Sequence, residues 1–166
     1  MNEAAAADDG DVEVLYLVRH AKAGDRERWT EDDRLRPLTK KGRRQAEGLV
    51  QLFRRLEVTR IVSSPYLRCV QTVRPLALSR ELTIELSDAL AEGAPTADAV
   101  AILDASSSGG VFCSHGDVIP AVMDHLRGTG IPIDGEIGWK KGSVWILERR
   151  LGRYIRARYV PPPRFD

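Results

Sequence analysis

The chain's 166 residues, 18.4 kDa, suffice for one domain with a real hydrophobic core. With 43% hydrophobic and 30% charged residues it reads as soluble and globular. No run approaches the ~20 apolar residues of a membrane-spanning helix. The net charge of +1 hides blocks of −5 over residues 1–18, +6 over 19–60, −6 over 61–138 and +6 over 139–166. Two basic segments flanking an acidic one can line a site for an anion, although solvated helix faces give the same pattern.

Residues 1–11 are rich in Ala and Asp, lack apolar periodicity and read as a disordered tail. They carry no base and no apolar h-region, so a secretory signal is not expected there. Val14–Val18 is a continuous apolar run, the mark of a strand buried on both faces, and it stops at Arg19-His20. Residues 39–56 read as a helix, with Thr39 as N-cap and Ala46, Leu49, Val50, Phe53 and Leu56 on one face. Arg60–Ser63 is a short strand. Ser64-Pro65 then supplies an N-cap and a proline at the first helical position, opening a helix to about Leu78. Thr83–Leu86 fits a short strand, and Thr96 or Asp98 opens a helix to about Ala105. After a Ser/Gly turn at 106–110, Val111–Ser114 is a buried strand ending at His115-Gly116. Residues 118–127 are helical, and 143–148 and 153–159 form two final strands. Pro161 to Pro163 mark the exit from the fold. The chain thus reads as one domain, 12–160, with tails at 1–11 and 161–166.

Alternating strands and helices predict an α/β domain with a mostly parallel central sheet between helical layers. In such sheets the ligand crevice lies beyond the carboxyl ends of the strands. Arg19-His20, Ser64–Arg68 and His115-Gly116 should therefore converge on one site. Arginines and helix N-termini bind phosphoryl oxygens, and a histidine among them can act as nucleophile or acid/base.

These stretches resemble a known family. Val18-Arg19-His20-Ala21 is similar to the Arg-His-Gly motif of the histidine phosphatase superfamily, which includes the cofactor-dependent phosphoglycerate mutases. Leu38-Thr39, Gly42 and Gln45-Ala46 are similar to its Leu-Thr-x-x-Gly-x-x-Gln-Ala segment. Ser63-Ser64-Pro65, Arg68 and Thr72 follow its Ser-Ser-Pro-x-x-Arg-x-x-x-Thr pattern, and Ser114-His115-Gly116 its second histidine. The resemblance spans residues 13–150. It implies a phosphoglycerate mutase-like fold, a phosphohistidine on His20, and a phosphoryl pocket of Arg19, Arg68 and His115, with Gly116 beside them. It implies no metal and no other cofactor. Leu90-Ala91-Glu92-Gly93 matches the context of the family's proton donor, which makes Glu92 the general acid and Asp88 a weaker substitute. Ala21 replaces the usual glycine. The family's phosphate-contacting Asn is missing, and Arg26 falls at its register, so Lys22, Arg26 and Arg36 become candidates for substrate contact.

Only 18 residues, 93–110, separate Glu92 from the third strand, too few for the capping subdomain of larger members. An open pocket favours hydrolysis over mutase chemistry, which must exclude water. The short form and the Arg-His-Ala-Lys-Ala stretch are most similar to the SixA phosphohistidine phosphatases and to the phosphatase domain fused to some Nudix hydrolases. The Nudix box itself is absent. The substrate expected first is protein phosphohistidine or a related phosphorylated substrate, with nucleoside di- and triphosphates as the alternative. A phosphohistidine leaving group hardly needs a proton donor, so Glu92 tilts the reading slightly toward phosphoesters and nucleotides. A catalytically inactive phospho-ligand binding module is the alternative of another class, and nothing in the sequence supports it.

Other chemistries lack their spacing. No Cys-x5-Arg or Gly-x4-Gly-Lys-Ser/Thr occurs, and His20, His115, Asp117 and Asp124 lack the spacing of a metal phosphohydrolase. Aromatics are 6% and no nucleic-acid motif appears, so a nucleic-acid partner is not expected, nor is a membrane. Cys69 and Cys113 cannot form a disulfide framework, which fits a cytoplasmic protein. Cys113 reads as core, His125 as surface or structural, and Trp139 and Trp145 as packing near the last strands. The oligomeric state and the physiological substrate stay open at this level.

Overall fold

A computed structural model describes residues 10–164, so most of the 1–11 tail and the last two positions lie outside the described residues. In chain order the elements are β1 (Glu13–Arg19), α1 (Lys40–Leu52), β2 (Arg60–Ser63), α2 (Leu67–Arg80), β3 (Ile84–Leu86), α3 (Thr96–Asp104), β4 (Gly110–Ser114), α4 (Val118–Gly128), β5 (Ile133–Asp134), β6 (Val144–Arg150) and β7 (Arg153–Val160). Single 3-10 turns sit at Asp33–Leu35 and Asp88–Leu90.

The strands form one mixed sheet in the order β3-β2-β4-β1-β6-β7-β5. Pairing is parallel from β3 through β2 and β4 to β1, and again between β5 and β7. It is antiparallel between β1 and β6 and between β6 and β7. The mostly parallel α/β architecture expected from the sequence is therefore present. β1 shows why its run is apolar throughout. Leu15 and Leu17 pack with Leu103, Val118 and Val122 of α3 and α4. Tyr16 and Val18 pack with Leu49, Phe53 and Val73 on the opposite face. Two cores thus sandwich one sheet.

Several boundaries differ from the sequence reading. α1 stops at Leu52, not 56, because the chain tightens: Arg54 N donates to Gln51 O and Leu56 N to Phe53 O, three residues back. α2 begins at Leu67 with Tyr66 as its cap, so Pro65 lies outside the helix. The Ser64 hydroxyl is drawn instead toward His115. β5 escaped notice because two residues carry no periodicity. Among the described residues, no helix is long and apolar enough to cross a membrane.

Candidate active site

Parallel register brings the three strand ends together. Arg19 pairs with Ser114, and Ser63 with Cys113. The ladder continues one step further: His20 N donates to Ser114 O (3.0 Å) and Ser64 N to Cys113 O (2.9 Å). His20, Ser64 and His115 therefore leave the sheet side by side. The His20 and His115 rings lie edge to face, centroids 5.4 Å apart, and Tyr66 meets His115 at 4.7 Å. All three stretches expected to converge do so.

The loop after β1 is clamped by the two motif helices. Ala21 N donates to Thr72 Oγ1 of α2 (2.9 Å), and Lys22 N to Gln45 Oε1 of α1 (3.0 Å). Thr39 donates to Lys22 O and accepts from Gly42 N. Gly42 is glycine because a Cβ there would lie 2.0 Å from Lys22 O. Ala21 is fully buried and is not among the described residues with positive φ, so the alanine in place of the family's glycine fits without strain. These contacts explain why Thr, Gly, Gln and Thr recur at those spacings: each holds the backbone that aims His20.

His20 Nδ1–H donates to Ala21 O (2.8 Å), which fixes the tautomer with an unprotonated Nε2. Burial pushes the imidazole down to about 3. The Ala21 bond opposes this, and the charges of His115, Arg68 and Arg19 add to it. His20 is therefore neutral at physiological pH. An unfolded histidine titrates near 6.5. Between about pH 6.5 and 3 the unfolded chain binds a proton that the folded chain refuses, so stability falls as the pH drops through that window. Between pH 7 and 4 the wild-type chain should lose about 3 kcal/mol more unfolding free energy than His20→Asn. Parallel pH–stability curves for the two proteins would disprove a neutral, buried His20.

The cationic partners are held differently. Arg68 is completely buried. Its Nη1 donates to Asp33 O (2.9 Å), and its Nη2 pairs with Asp33 Oδ2 (3.0 Å) and Glu92 Oε2 (3.3 Å). Arg19 donates through Nη1 to Trp139 O. Gly116 lets this guanidinium pass, since a Cβ there would lie 2.6 Å from Arg19 Nη2. His115 Nε2 lies 2.8 Å from Ser64 Oγ and 3.5 Å from Cys69 Sγ. Ser64 Oγ already accepts from Tyr66 N, so it can donate to His115 Nε2 and leave the proton on Nδ1. Three of the four buried side-chain polar atoms with no partner among the described residues are Arg19 Nε, Arg68 Nε and His115 Nδ1. Unsatisfied donors on three side chains around the His20 ring suit an anion.

A cavity of about 770 Å³ opens at Arg19 and His20, with Arg68 and His115 buried and outside its lining. Its lining includes Arg19, His20, Glu92 and Gly116, together with Lys22, Arg26 and Arg36. Glu92 Oε1 pairs with Arg26 Nη2 at 2.7 Å. Arg36 is nearly buried, and its Nε and Nη1 donate to Asp33 Oδ1 (2.9 Å) and Gly24 O (2.6 Å), so it braces the wall. Asp88 is exposed and does not line the cavity. The sequence gives Asp33 and Lys141 no role in the site and offers Asp117 only as a ligand of the rejected metal centre. Asp33 anchors Arg68 and Arg36, Asp117 Oδ2 accepts from Gly93 N (2.7 Å) and steadies the Glu92 loop, and Lys141 joins the rim. No spacing signal marks them, because each acts across a distance in sequence. Between Glu92 and β4 the chain holds α3 and loops only. His125 is exposed, Cys113 is buried, and Trp145 packs between Trp139 and Tyr159, each 5.5 Å away. Among the described residues, no group of three or more His, Cys, Asp or Glu is placed to hold a metal ion.

Comparison with known proteins bears on this site. A model of the histidine phosphatase superfamily (branch 1) matches residues 15–97. An 8-oxo-(d)GTP phosphatase of Mycolicibacterium smegmatis is 35% identical over 159 residues, 92% of this chain and 49% of that protein. The chain thus spans about half the length of that relative. Among solved structures, a protein of Agrobacterium tumefaciens assigned as the phosphohistidine phosphatase SixA superposes with a TM-score of 0.70 at 22% identity, covering 90% of this chain and 98% of that one. The protein histidine phosphatase SixA complexed with tungstate gives 0.66 at 18% identity, covering 90% and 95%. These two likenesses speak to the fold.

Proposed function

The chain belongs to the histidine phosphatase superfamily, and from that premise we propose that it is a phosphatase working through a phosphohistidine on His20, with nucleotide phosphates as its substrate class. The catalytic unit is residues 12–160. The observation that carries the reading is the neutral His20, locked through Nδ1 and surrounded by unsatisfied donors of Arg19, Arg68 and His115.

The chemistry follows from the geometry. The phosphoryl group enters against Arg19, Arg68 and His115, which stabilise the charge spread over its oxygens. His20 Nε2 attacks phosphorus in line, and the bond from phosphorus to the leaving oxygen breaks. The phosphoryl group competes for Arg68 and frees one Glu92 oxygen toward the leaving group. Glu92 takes up the proton that the phosphoryl group carries in as its monoanion and passes it to the leaving oxygen. It then takes a proton from water, which attacks phosphorus, breaks the N–P bond and releases inorganic phosphate. Arg19 and Arg68 supply the positive charge throughout, and His115 Nδ1–H adds a donor, so no metal is required by this route.

Glu92 supports a substrate whose leaving group needs a proton, and the relative that is an 8-oxo-(d)GTP phosphatase points the same way. The second reading, a phosphohistidine protein, is favoured by the open cavity and by the absence of any cap between Glu92 and β4 among the described residues. Side-by-side phosphate release from GTP, 8-oxo-GTP, GDP and a phosphohistidine protein decides between them. Preference for the protein would overturn the nucleotide reading. Glu92→Gln should slow phosphoesters with poor leaving groups about 10²–10³-fold, and p-nitrophenyl phosphate less than tenfold. Equal losses on both would remove Glu92 from proton transfer.

A further inference from the structure

Beside the reaction cavity lies a second one of about 570 Å³. Lys22, Lys41, Lys140, Lys141 and Arg164 line it, with Gln45 and the proline run 161–163. None of these lining residues is acidic, whereas the reaction cavity carries Asp25, Glu92 and Asp117. Lys22 and Lys141 line both cavities, so the two are continuous across this pair.

The junction is built on a buried residue. Gln45 Oε1 accepts from Lys22 N (3.0 Å), and Gln45 Nε2 donates to Lys141 O (3.4 Å). The next residue, Gly142, donates to Arg19 O and His20 O, both at 3.1 Å. One glutamine thus fixes the backbones of both lysines to the loop that carries the nucleophile. Arg26, Arg36 and Arg68 each have a carboxylate partner. The four lysines make no ion pair among the described residues. Partial burial, then the charges of Arg19, Arg36, Lys22 and Arg26, push the Lys141 pKa down. Cations that crowd one another without a counter-charge are relieved by a bound anion.

We propose that this second cavity is the subsite for the non-transferred phosphates of a nucleoside di- or triphosphate, held by Lys22 and Lys141 at the junction and by Lys41 and Lys140 beyond it. The proposal rests on the phosphatase reading above and adds to it where the rest of the substrate lies. A substrate with a single phosphoryl group fills the His20 pocket and leaves these lysines unmatched. A polyphosphate satisfies both cavities at once, and a volume of this size suits a small ligand.

The test uses the double variant Lys41→Ala/Lys140→Ala, whose two positions are exposed and outside the reaction cavity. Its kcat/KM for GDP and GTP should fall about tenfold, through KM, while that for p-nitrophenyl phosphate stays within twofold. Equal losses on all substrates, no loss on any, or wild-type turnover of p-nitrophenyl phosphate without turnover of GDP and GTP would overturn the subsite. If the folded wild-type protein hydrolyses none of them, the phosphatase reading fails by itself. The subsite is then judged on calorimetric binding of inorganic pyrophosphate. Binding about tenfold weaker in the variant upholds it, and equal binding overturns it.

Discussion

His20→Asn should lower turnover by about 10⁴-fold or more and abolish the covalent phosphoenzyme. Asparagine keeps a polar group of similar reach but has no nitrogen lone pair to attack phosphorus. The fold should survive, because β1 and the clamps on Ala21 and Lys22 do not depend on the imidazole. Intact-mass measurement of alkali-quenched protein reads the adduct directly, since phosphohistidine survives alkali and is lost in acid. Wild-type protein should show one added phosphoryl group and the variant none. Persistence of the adduct in the variant would place the nucleophile elsewhere.

Arg68 is expected to give the next largest effect. Arg68→Ala removes a fully buried guanidinium and leaves Asp33 and Glu92 without that partner. Breaking a buried ion pair costs about 3–5 kcal/mol. Both carboxylates are about a third exposed, which reduces the expected loss to about 2–3 kcal/mol. Activity should fall about 10³-fold, as when one transition-state donor is lost. Arg68→Lys separates folding from function. It keeps the charge but not the fork that reaches Asp33 and a phosphoryl oxygen together. It should unfold within a few degrees of the wild type and still lose about 10²-fold in kcat/KM. Full activity in the lysine variant would make Arg68 a structural residue only.

The rest of the wall shows what ties these residues to one another. Arg68 is held by Asp33 from one side and Glu92 from the other, and Glu92 is held again by Arg26. Asp33 also fixes Arg36. In the proposed reaction these carboxylates are the groups an arriving phosphoryl oxygen would displace, so that part of the substrate's binding energy would open the pairs and release Glu92 toward the leaving group.

Much of the site was legible in the sequence because it sits where short-range chemistry is strong. A run of β-favouring residues that ends in Arg19-His20, another in Ser63-Ser64 and a third in Ser114-His115 place their ends at one sheet edge whenever the strands run parallel. The motif residues Thr39, Gly42, Gln45 and Thr72 were also visible, although their common task of clamping the loop after β1 was not. Helix ends were less legible. Phe53 and Leu56 continue the apolar spacing of α1, yet the chain tightens there into a three-residue turn. The Ser64-Pro65 start signal gave way to a stronger partner, the His115 ring.

What the sequence alone determined is the order of the strands and helices apart from β5, and the strand ends that carry the proposed nucleophile His20 and the arginines Arg19 and Arg68, since each is written within a few consecutive residues. What only the tertiary structure decided is the set of contacts made across long separations. Asp33 meets Arg68 from 35 positions away and Gln45 meets Lys141 from 96, and no local pattern records either pair. A side chain's charge is read from the sequence, but its partner depends on which loops the sheet brings to the same edge. The Glu92 carboxylate became part of the site, and the lysines became one continuous basic groove, only when the fold closed around them.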